Sequence, residues 1–294
     1  MATLLQKVKS KMFIFAHRKA HSMLDGEYAA VFRGRSLDFD DLRGYVPGDE
    51  VRDIDWKATA RHGSPLVRRY VAVRKQTVLL LADTGRNMAA VAKGGESKKE
   101  LTVLLLGVLG YLALKHGDQV ALVHGDASGT VMSAAKGGEA HLESLLQTVD
   151  RETSLASADS ELTGQLDFIA QHVKTRTLLI VVADELAASP ELAGLLRRLR
   201  AQHEILWLTL EDADLRDPAW GAEPLGVQQM QPVMSFLASE PGLAAEYGAA
   251  VQARRQSLAE LLGREGISAE WLGHSADAMP TVFRLLERHR RAGK

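Results

Sequence analysis

Two aspartates stand at the ends of apolar runs, where a carboxylate can do chemistry. Asp83 closes the run "TVLLLAD" and is followed by the loop "TGRN", and Asp184 closes the run "RTLLIVVAD". A carboxylate in such a place can be the nucleophile of a phosphoryl transfer, one of the two acids of an aspartic protease, or a ligand for a divalent ion. It can also do no more than accept hydrogen bonds from its own loop.

Two of these chemistries lack a necessary partner residue. Asp-Thr-Gly at 83–85 is the tripeptide of aspartic proteases, but the sequence has no second Asp-Thr/Ser-Gly to share a proton with it. In a phosphoryl transfer through an aspartyl-phosphate, the general acid would fall on Gly85, which has no side chain. The chain also lacks a Gly-x-x-x-x-Gly-Lys-Ser/Thr loop. We therefore expect neither proteolysis nor nucleotide hydrolysis.

The elements that must position these acids alternate between strands and helices. From Thr77 onward, short apolar runs are separated by segments with helical spacing, which predicts a mainly parallel sheet covered by helices on both faces. The hairpin "DQVALVHG" and "GTVMSA" adds an antiparallel pair. Ligands of such sheets bind beyond the carboxyl ends of the strands. We therefore expect Asp83 and Asp184 to lie on one rim.

Composition limits the class of protein. The chain has 294 residues, a formal net charge of −1 and no cysteine, which excludes disulfides, thiolate metal sites and a cysteine nucleophile. The charge does not favour nucleic acid as a partner. The apolar segment Leu101–Leu114 is too short to span a bilayer, and the N-terminus lacks the pattern of a signal peptide. We predict a cytoplasmic protein.

The first 75 residues have a different character. A helical stripe at Leu5, Val8, Met12 and Phe15 predicts a helix that docks on its own protein, with a partner or a membrane surface as the alternative. The segment "RGYVPGDEVRDIDWKATAR" then interleaves arginines with aspartates, which favours bidentate pairs. We interpret it as a clasp on the sheet, with Trp56 anchored in an apolar pocket, or as a docking face. Its candidate residues are Arg43, Asp49, Arg52, Asp55, Trp56 and Arg61.

The segment from Gly34 to Met88 resembles the signature of a bacterial family, domain of unknown function 58, which carries a von Willebrand factor A-like domain. The pattern is Arg-x-Tyr, Pro-Gly-Asp, Arg-x-Ile-Asp-Trp and Ala-Arg, followed by a strand that ends in the aspartate of a metal-ion-dependent adhesion site. The matching residues are Gly34, Phe39, Arg43, Tyr45, Pro47, Gly48, Asp49, Arg52, Ile54, Asp55, Trp56, Ala60 and Arg61.

The resemblance implies a Rossmann-like sheet and a MoxR-type AAA+ ATPase as the working partner. It also implies an adhesion loop of the form Asp-x-Ser-x-Ser, from which this chain departs: Asp83 is kept, Gly85 has lost the first hydroxyl, and Asn87 replaces the second. A third ligand has no clear counterpart, although Ser157, Ser160 and Thr163 lie nearby in the sequence. Asp184 matches the late aspartate.

The altered loop has two interpretations. In one, Mg²⁺ or Mn²⁺ still binds at Asp83, Asn87 and Asp184, and water replaces the missing oxygens. In the other, which we favour, the site is degenerate and needs no cofactor, because the charge of Arg86 repels a cation. Arg86 would then pair with Asp83 or Asp184 and occupy the place of the metal.

These observations predict an α/β protein with an N-terminal clasp of helix and hairpin at 1–75 and a von Willebrand factor A-like domain at 76–294. The expected function is a non-enzymatic protein–protein adaptor or assembly factor for a MoxR-type ATPase. The alternative is a divalent-metal-dependent hydrolase that uses Asp83 and Asp184 to activate water.

Overall fold

A six-stranded sheet forms the centre of the computed structural model, which describes residues 3–16, 26–28, 41–46, 49, 51, 54–69, 76–215, 217, 225–227, 231–232 and 241–292. The strands in these ranges are, in chain order, β1 (Asp41–Gly44), β2 (Leu66–Arg69), β3 (Thr77–Asp83), β4 (Gln119–Asp126), β5 (Gly129–Lys136), β6 (Leu178–Ala183), β7 (Glu204–Leu210), β8 (Leu225–Gly226), β9 (Gln231–Pro232) and β10 (Ser268–Leu272).

Helices cover both faces of the sheet. The longer ones are α1 (Leu4–Ala16), α2 (Trp56–His62), α3 (Lys98–Lys115), α4 (Glu139–Glu152), α5 (Leu162–His172), α6 (Pro190–Gln202), α7 (Pro241–Arg264) and α8 (Ala278–Ala292), with 3₁₀ turns at Arg86–Ala89 and Ser275–Asp277. One apolar core joins the sheet to α1, α3, α4 and α8, and a second joins it to α5, α6 and α7. Within the described ranges, no helix is both long and apolar enough to cross a membrane.

The central strands are apolar because both of their faces are buried. Along β3, Leu80 belongs to one core while Leu79 and Leu81 belong to the other. Strand side chains alternate between the two faces of a sheet, so a run such as "TVLLLA" is suited to a strand that is covered twice. The predicted strands from Thr77 onward, and the helices between them, are confirmed.

The strand order places a switch point between β3 and β6. The sheet runs β10-β7-β6-β3-β4-β5, with β5 antiparallel to β4 and all other neighbours parallel. Counted along the chain, this is the order 3-2-1-4-5-6 of doubly wound folds, in which ligands bind where the order reverses. The predicted Rossmann-like, mainly parallel sheet is confirmed.

The first helix packs into the core of the sheet. Leu5, Val8 and Met12 are buried together with α3, as their spacing predicts. The approach is close, since a Cβ atom on Gly107 would lie 2.7 Å from a methyl group of Val8. Glu143 on α4 accepts hydrogen bonds from the free backbone N–H groups of Leu4 and Leu5, at 3.1 and 2.7 Å. The other apolar residue of this stripe, Phe15, has a side chain outside the described residues.

The described residues between positions 41 and 69 include a small two-stranded sheet and one helix. β1 and β2 pair in an antiparallel ladder, and α2 lies between them in the chain. Asp55 caps α2 by accepting hydrogen bonds from the N–H groups of Lys57 and Ala58, both at 3.0 Å. Gly63 ends the helix at a φ of 82°, which favours glycine. The predicted strand is confirmed at 66–69, and its continuation to residue 75 lies outside the described residues.

Candidate functional site

Asp83 ends β3 at the switch point and is almost fully buried, with 2% of its surface exposed. Its Oδ1 atom accepts a hydrogen bond from the N–H group of Gly85 at 2.8 Å. The adjacent Thr84 donates its hydroxyl to the carbonyl of Gly125 on β4 at 3.0 Å. The side-chain amide of Gln165 donates to the same carbonyl at 2.7 Å. The loop after β3 is therefore held against β4 and α5.

The carboxyl group of Asp83 holds its proton unusually tightly. Burial raises the pKa of Asp83 from its ordinary value of 3.8 to about 6. The N–H group of Gly85 and the side chains of Ser160 and Gln165 oppose this rise, while the negative charge of Asp184 adds to it. This influence of Asp184 agrees with the predicted placement of both acids on one rim. No ion pair joins Asp83 to a residue that the structure describes.

Asp184, directly after β6, is bound by a lysine. Lys98 is the first residue of α3 and has no exposed surface. Its Nζ atom lies 2.6 Å from Oδ1 of Asp184 and also contacts Oδ1 of Asp212, which follows β7 two residues after its end. Asp184 Oδ1 accepts a further hydrogen bond from the N–H group of Glu185 at 2.7 Å. One ammonium group therefore connects the ends of two strands.

The backbone around Lys98 and Asp212 fixes this contact. The N–H group of Lys98 donates to the carbonyl of Ala90 at 2.9 Å, and Asp212 forms an antiparallel bridge with Ala92. Burial alone would lower the pKa of Lys98, but the carboxylates of Asp184 and Asp212 raise it above its ordinary value. The lysine is therefore a buried cation. Burial also raises the pKa of Asp184, and the ammonium of Lys98 opposes that rise.

Arg86 does not occupy the metal position, contrary to the prediction that it pairs with Asp83 or Asp184. Its Nε atom lies 3.1 Å from Oδ1 of Asp159 and donates to the carbonyl of Ser157 at 3.2 Å. The physical reason is the backbone position of Arg86. It begins the 3₁₀ turn after Gly85, and its N–H group donates to the carbonyl of Ala158, outside the turn, at 2.9 Å. That bond aligns Arg86 with the loop before α5.

The space above Gly85 belongs to another residue. A Cβ atom on Gly85 would lie 2.5 Å from the Cα atom of Ser160 and 2.6 Å from its Oγ atom. Ser160 is therefore the neighbour that contacts the Asp83 loop, while Ser157 donates its hydroxyl to the carbonyl of Glu152 at 2.7 Å and Thr163 is exposed. The side-chain oxygen of Asn87 is buried without a hydrogen-bond partner.

The residues on this rim do not fit a divalent ion. The Oγ atom of Ser160 stands where the first hydroxyl ligand would be, but the carboxylate of Asp184 is held by an ammonium. The positive charge of that ammonium repels a divalent ion at short range. In the part of the chain that the structure describes, no three histidine, aspartate or glutamate side chains are grouped to hold a metal.

The predicted interaction residues of the clasp make their contacts with neighbouring residues of the clasp and not with this rim. Arg43 and Asp49 form an ion pair at 2.6 Å, which lowers the pKa of Asp49. Asp55 is the cap of α2, and Arg61 is an exposed residue of its last turn. Arg52 lies outside the described residues.

The prediction for Trp56 is wrong. We predicted that it fills an apolar pocket, but 65% of its surface is exposed. The reason is its position as the first residue of α2, a short helix in which no residue is buried.

Sequence reasoning did not select Lys98 or Asp212. A signal for Lys98 was present: a lysine in the first turn of a helix opposes the helix dipole, so it needs another source of stability. Asp212 lies beyond β7 in the acid-rich stretch "LEDAD" and has no distinguishing pattern.

Known proteins share this chain's sequence pattern. The sequence profile of the family described as "Protein of unknown function DUF58" matches residues 41–256. Uncharacterized protein Rv1480 of Mycobacterium tuberculosis (strain ATCC 25618 / H37Rv) and uncharacterized protein Mb1516 of Mycobacterium bovis are each 24% identical over 276 residues, which cover 93% of this chain and 86% of the relative.

Two solved structures have a similar arrangement. An aerotolerance-related membrane protein from Bacteroides fragilis NCTC 9343 matches 72% of this chain and 98% of its own, with a TM-score of 0.45 and 13% identity. A von Willebrand factor type A protein from Catenulispora acidiphila matches 77% of this chain and 43% of its own, with a TM-score of 0.41 and 9% identity. The profile covers most of the sequence, from the first residue of β1 to beyond the strand-end residues Asp83, Asp184 and Asp212. The chain therefore belongs to the DUF58 family.

Proposed function

We propose that this chain is a non-enzymatic adaptor or assembly factor that binds a MoxR-type AAA+ ATPase. The observation that carries the proposal is the exposure of large apolar side chains in the clasp. Eleven such residues are exposed in the described ranges, and five of them lie between positions 42 and 56: Leu42, Tyr45, Val46, Val51 and Trp56. Exposed apolar side chains concentrated in one segment are typical of an interaction surface.

Charged groups surround this apolar segment. The exposed pair of Arg43 and Asp49 and the basic end of α2 at Arg61 and His62 lie in the same segment of the chain. An apolar centre with a polar rim is the usual composition of a protein–protein interface, and tryptophan and arginine are frequent among the residues that dominate its affinity. We propose the clasp as the docking face and the Asp83 rim as a second contact surface.

The state of Asp184 supports a binding role over the alternative role of a hydrolase. A hydrolase of the predicted kind needs both Asp83 and Asp184 to hold a metal-activated water. Asp184 is already engaged by Lys98, and Asp83 accepts a hydrogen bond from its own loop. We therefore do not propose a catalytic role for these residues.

The family resemblance is the reason for proposing an ATPase as the partner. We propose the cytoplasm as the location, because the ATP that an AAA+ ATPase hydrolyses is found there. The test is binding of the purified chain to the purified ATPase from the same organism, in ATP, in ADP and without nucleotide. We expect Trp56→Ser to weaken binding about tenfold or more, since a central interface tryptophan commonly contributes that much.

The matched control is Val131→Ser, because Val131 is exposed to a similar extent, 56%, and lies on the edge strand β5, outside both proposed contact surfaces. We expect this change to leave the affinity within about twofold. Failure of the wild-type chain to bind in all three nucleotide states would contradict the ATPase as partner. Equal weakening by both changes would contradict the clasp as the docking face.

A further inference from the structure

The rim at the switch point already contains a positive charge. Asp83, Asp184 and Asp212 follow three neighbouring strands, and the buried Nζ atom of Lys98 contacts the latter two. In an adhesion site of the type that the resemblance implies, a divalent ion supplies the positive charge among such acids. Here the charge belongs to the polypeptide itself.

We propose that the Lys98 ammonium is the resident cation of this rim and takes the structural place of the divalent ion. It links the ends of β6 and β7 to the beginning of α3, so the rim is assembled without metal. The inference does not depend on the identity of any partner, and the adaptor proposal is tested by a different experiment.

The burial of Lys98 supports this role. A lysine ammonium without exposed surface is stable only when its charge is paired and its donors are used. An ammonium has three N–H donors, and two of them meet carboxylates that come from different strands. The position is otherwise unfavourable for a cation, because the first turn of a helix carries the positive end of the dipole.

The surroundings of Gly85 and Asp184 show which part of a metal site the rim keeps and which part it has lost. Ser160 fills the volume in which a ligand side chain at position 85 would stand. A hydroxyl near position 85 is still supplied by Ser160, whose Oγ atom is buried without a hydrogen-bond partner, whereas the free carboxylate that a metal site needs at Asp184 is replaced by an ion pair with Lys98. It follows that a divalent ion on this rim would have to displace the Lys98 ammonium to reach Asp184.

The test is thermal unfolding of the full chain after treatment with EDTA, with and without millimolar Mg²⁺ or Mn²⁺. We expect no shift of the midpoint for the wild type. Lys98→Ala should unfold at a lower temperature and should recover part of the loss with Mn²⁺ or with propylammonium, which replaces the deleted atoms. Ligands that bind the native state raise the midpoint by mass action, and tetramethylammonium, which cannot donate hydrogen bonds, should give no recovery.

The matched control is Lys99→Ala, which removes a neighbouring half-buried lysine whose Nζ atom lies 3.5 Å from Asp150. We expect it to respond to none of these cations. Lys98→Ala melting like Lys99→Ala, or folding without any response to Mn²⁺ and propylammonium, would overturn the proposal.

A direct measurement covers the case in which Lys98→Ala does not fold. Equilibrium dialysis of the wild type with Mn²⁺ should detect no stoichiometric binding. Lys98→Arg, which keeps the charge, should fold and also leave Mn²⁺ unbound. One equivalent of Mn²⁺ on the wild type that is lost in Asp83→Ala would overturn the proposal.

Discussion

Asp83 and Asp184 end neighbouring parallel strands, but their surroundings differ in charge. Asp184 has an ammonium at 2.6 Å, whereas Asp83 is buried among the N–H group of Gly85 and the neutral side chains of Ser160 and Gln165. The sheet determines where a strand-end carboxylate lies. The loops and helices around it determine whether the ionised form of that carboxylate is stable.

The comparison separates two kinds of stability. On the Asp184 side, the buried ammonium of Lys98 compensates the carboxylate of Asp184, and removal of the ammonium leaves that carboxylate unpaired. On the Asp83 side, the charge itself opposes folding, because burial makes ionisation costly. Substitutions on the two sides should therefore change the free energy of unfolding in opposite directions.

The largest effect is expected for Lys98→Met, which keeps the length of the side chain and removes its charge. It leaves Asp184 without its cation, and loss of one partner of a buried pair commonly costs about 3–5 kcal/mol. Urea unfolding at neutral pH measures the change. Lys99→Met, at a position where the ion pair is partly exposed, should cost less than about 1 kcal/mol. Equal costs at the two positions would contradict the comparison.

Asp83→Asn is expected to stabilise the protein. Because the pKa of Asp83 is raised from 3.8 to about 6, the native state holds this proton more tightly than the unfolded state, and the free energy of unfolding falls as the pH rises between these values. The asparagine variant avoids this loss. Its advantage should reach up to about 3 kcal/mol above pH 6 and disappear below about pH 4.

Urea unfolding of Asp83→Asn and the wild type from pH 4 to pH 8 makes this measurement. A stabilisation that does not change with pH would show that packing, and not the charge of Asp83, is responsible. A destabilisation at pH 8 would contradict the assigned environment of this carboxyl group.

Gly85→Ala should have a smaller effect, because it forces Ser160 away from the Asp83 loop. The added methyl group would lie 2.5 Å from a backbone atom, and strain of this kind commonly costs about 1–3 kcal/mol. Gly194→Ala is the control, since this glycine lies within α6 with open space around it. There alanine should be neutral or stabilise the helix by up to about 1 kcal/mol. Thermal melts compare the two variants.

The sequence predicted the fold and the strand-end placement of Asp83 and Asp184 well. The apolar runs at Thr77–Asp83 and Leu178–Ala183 are long enough and regular enough to be identified as buried strands, and the residue after a buried strand lies on the rim of the sheet. The register of neighbouring parallel strands then brings the two acids together.

The contacts between loops were beyond sequence reasoning. Lys98 reaches Asp212 across 114 positions, and Ser160 fills the space above Gly85 across 75, so neither contact leaves a local pattern. Trp56 was misjudged for a related reason, because its apolar character says nothing about whether a pocket faces it. Arg86 was assigned to the nearest acids in the motif, whereas the turn directs it to Asp159.

The docked first helix has a practical consequence for anyone who cuts this chain into fragments. A polypeptide that starts at residue 76 loses Val8, and the shallow notch above Gly107 that receives it would face water. The side chain of Glu143 would also lose the two amide donors that it binds. We expect such a fragment to self-associate through its exposed apolar surface, so studies of the sheet domain should retain the first sixteen residues.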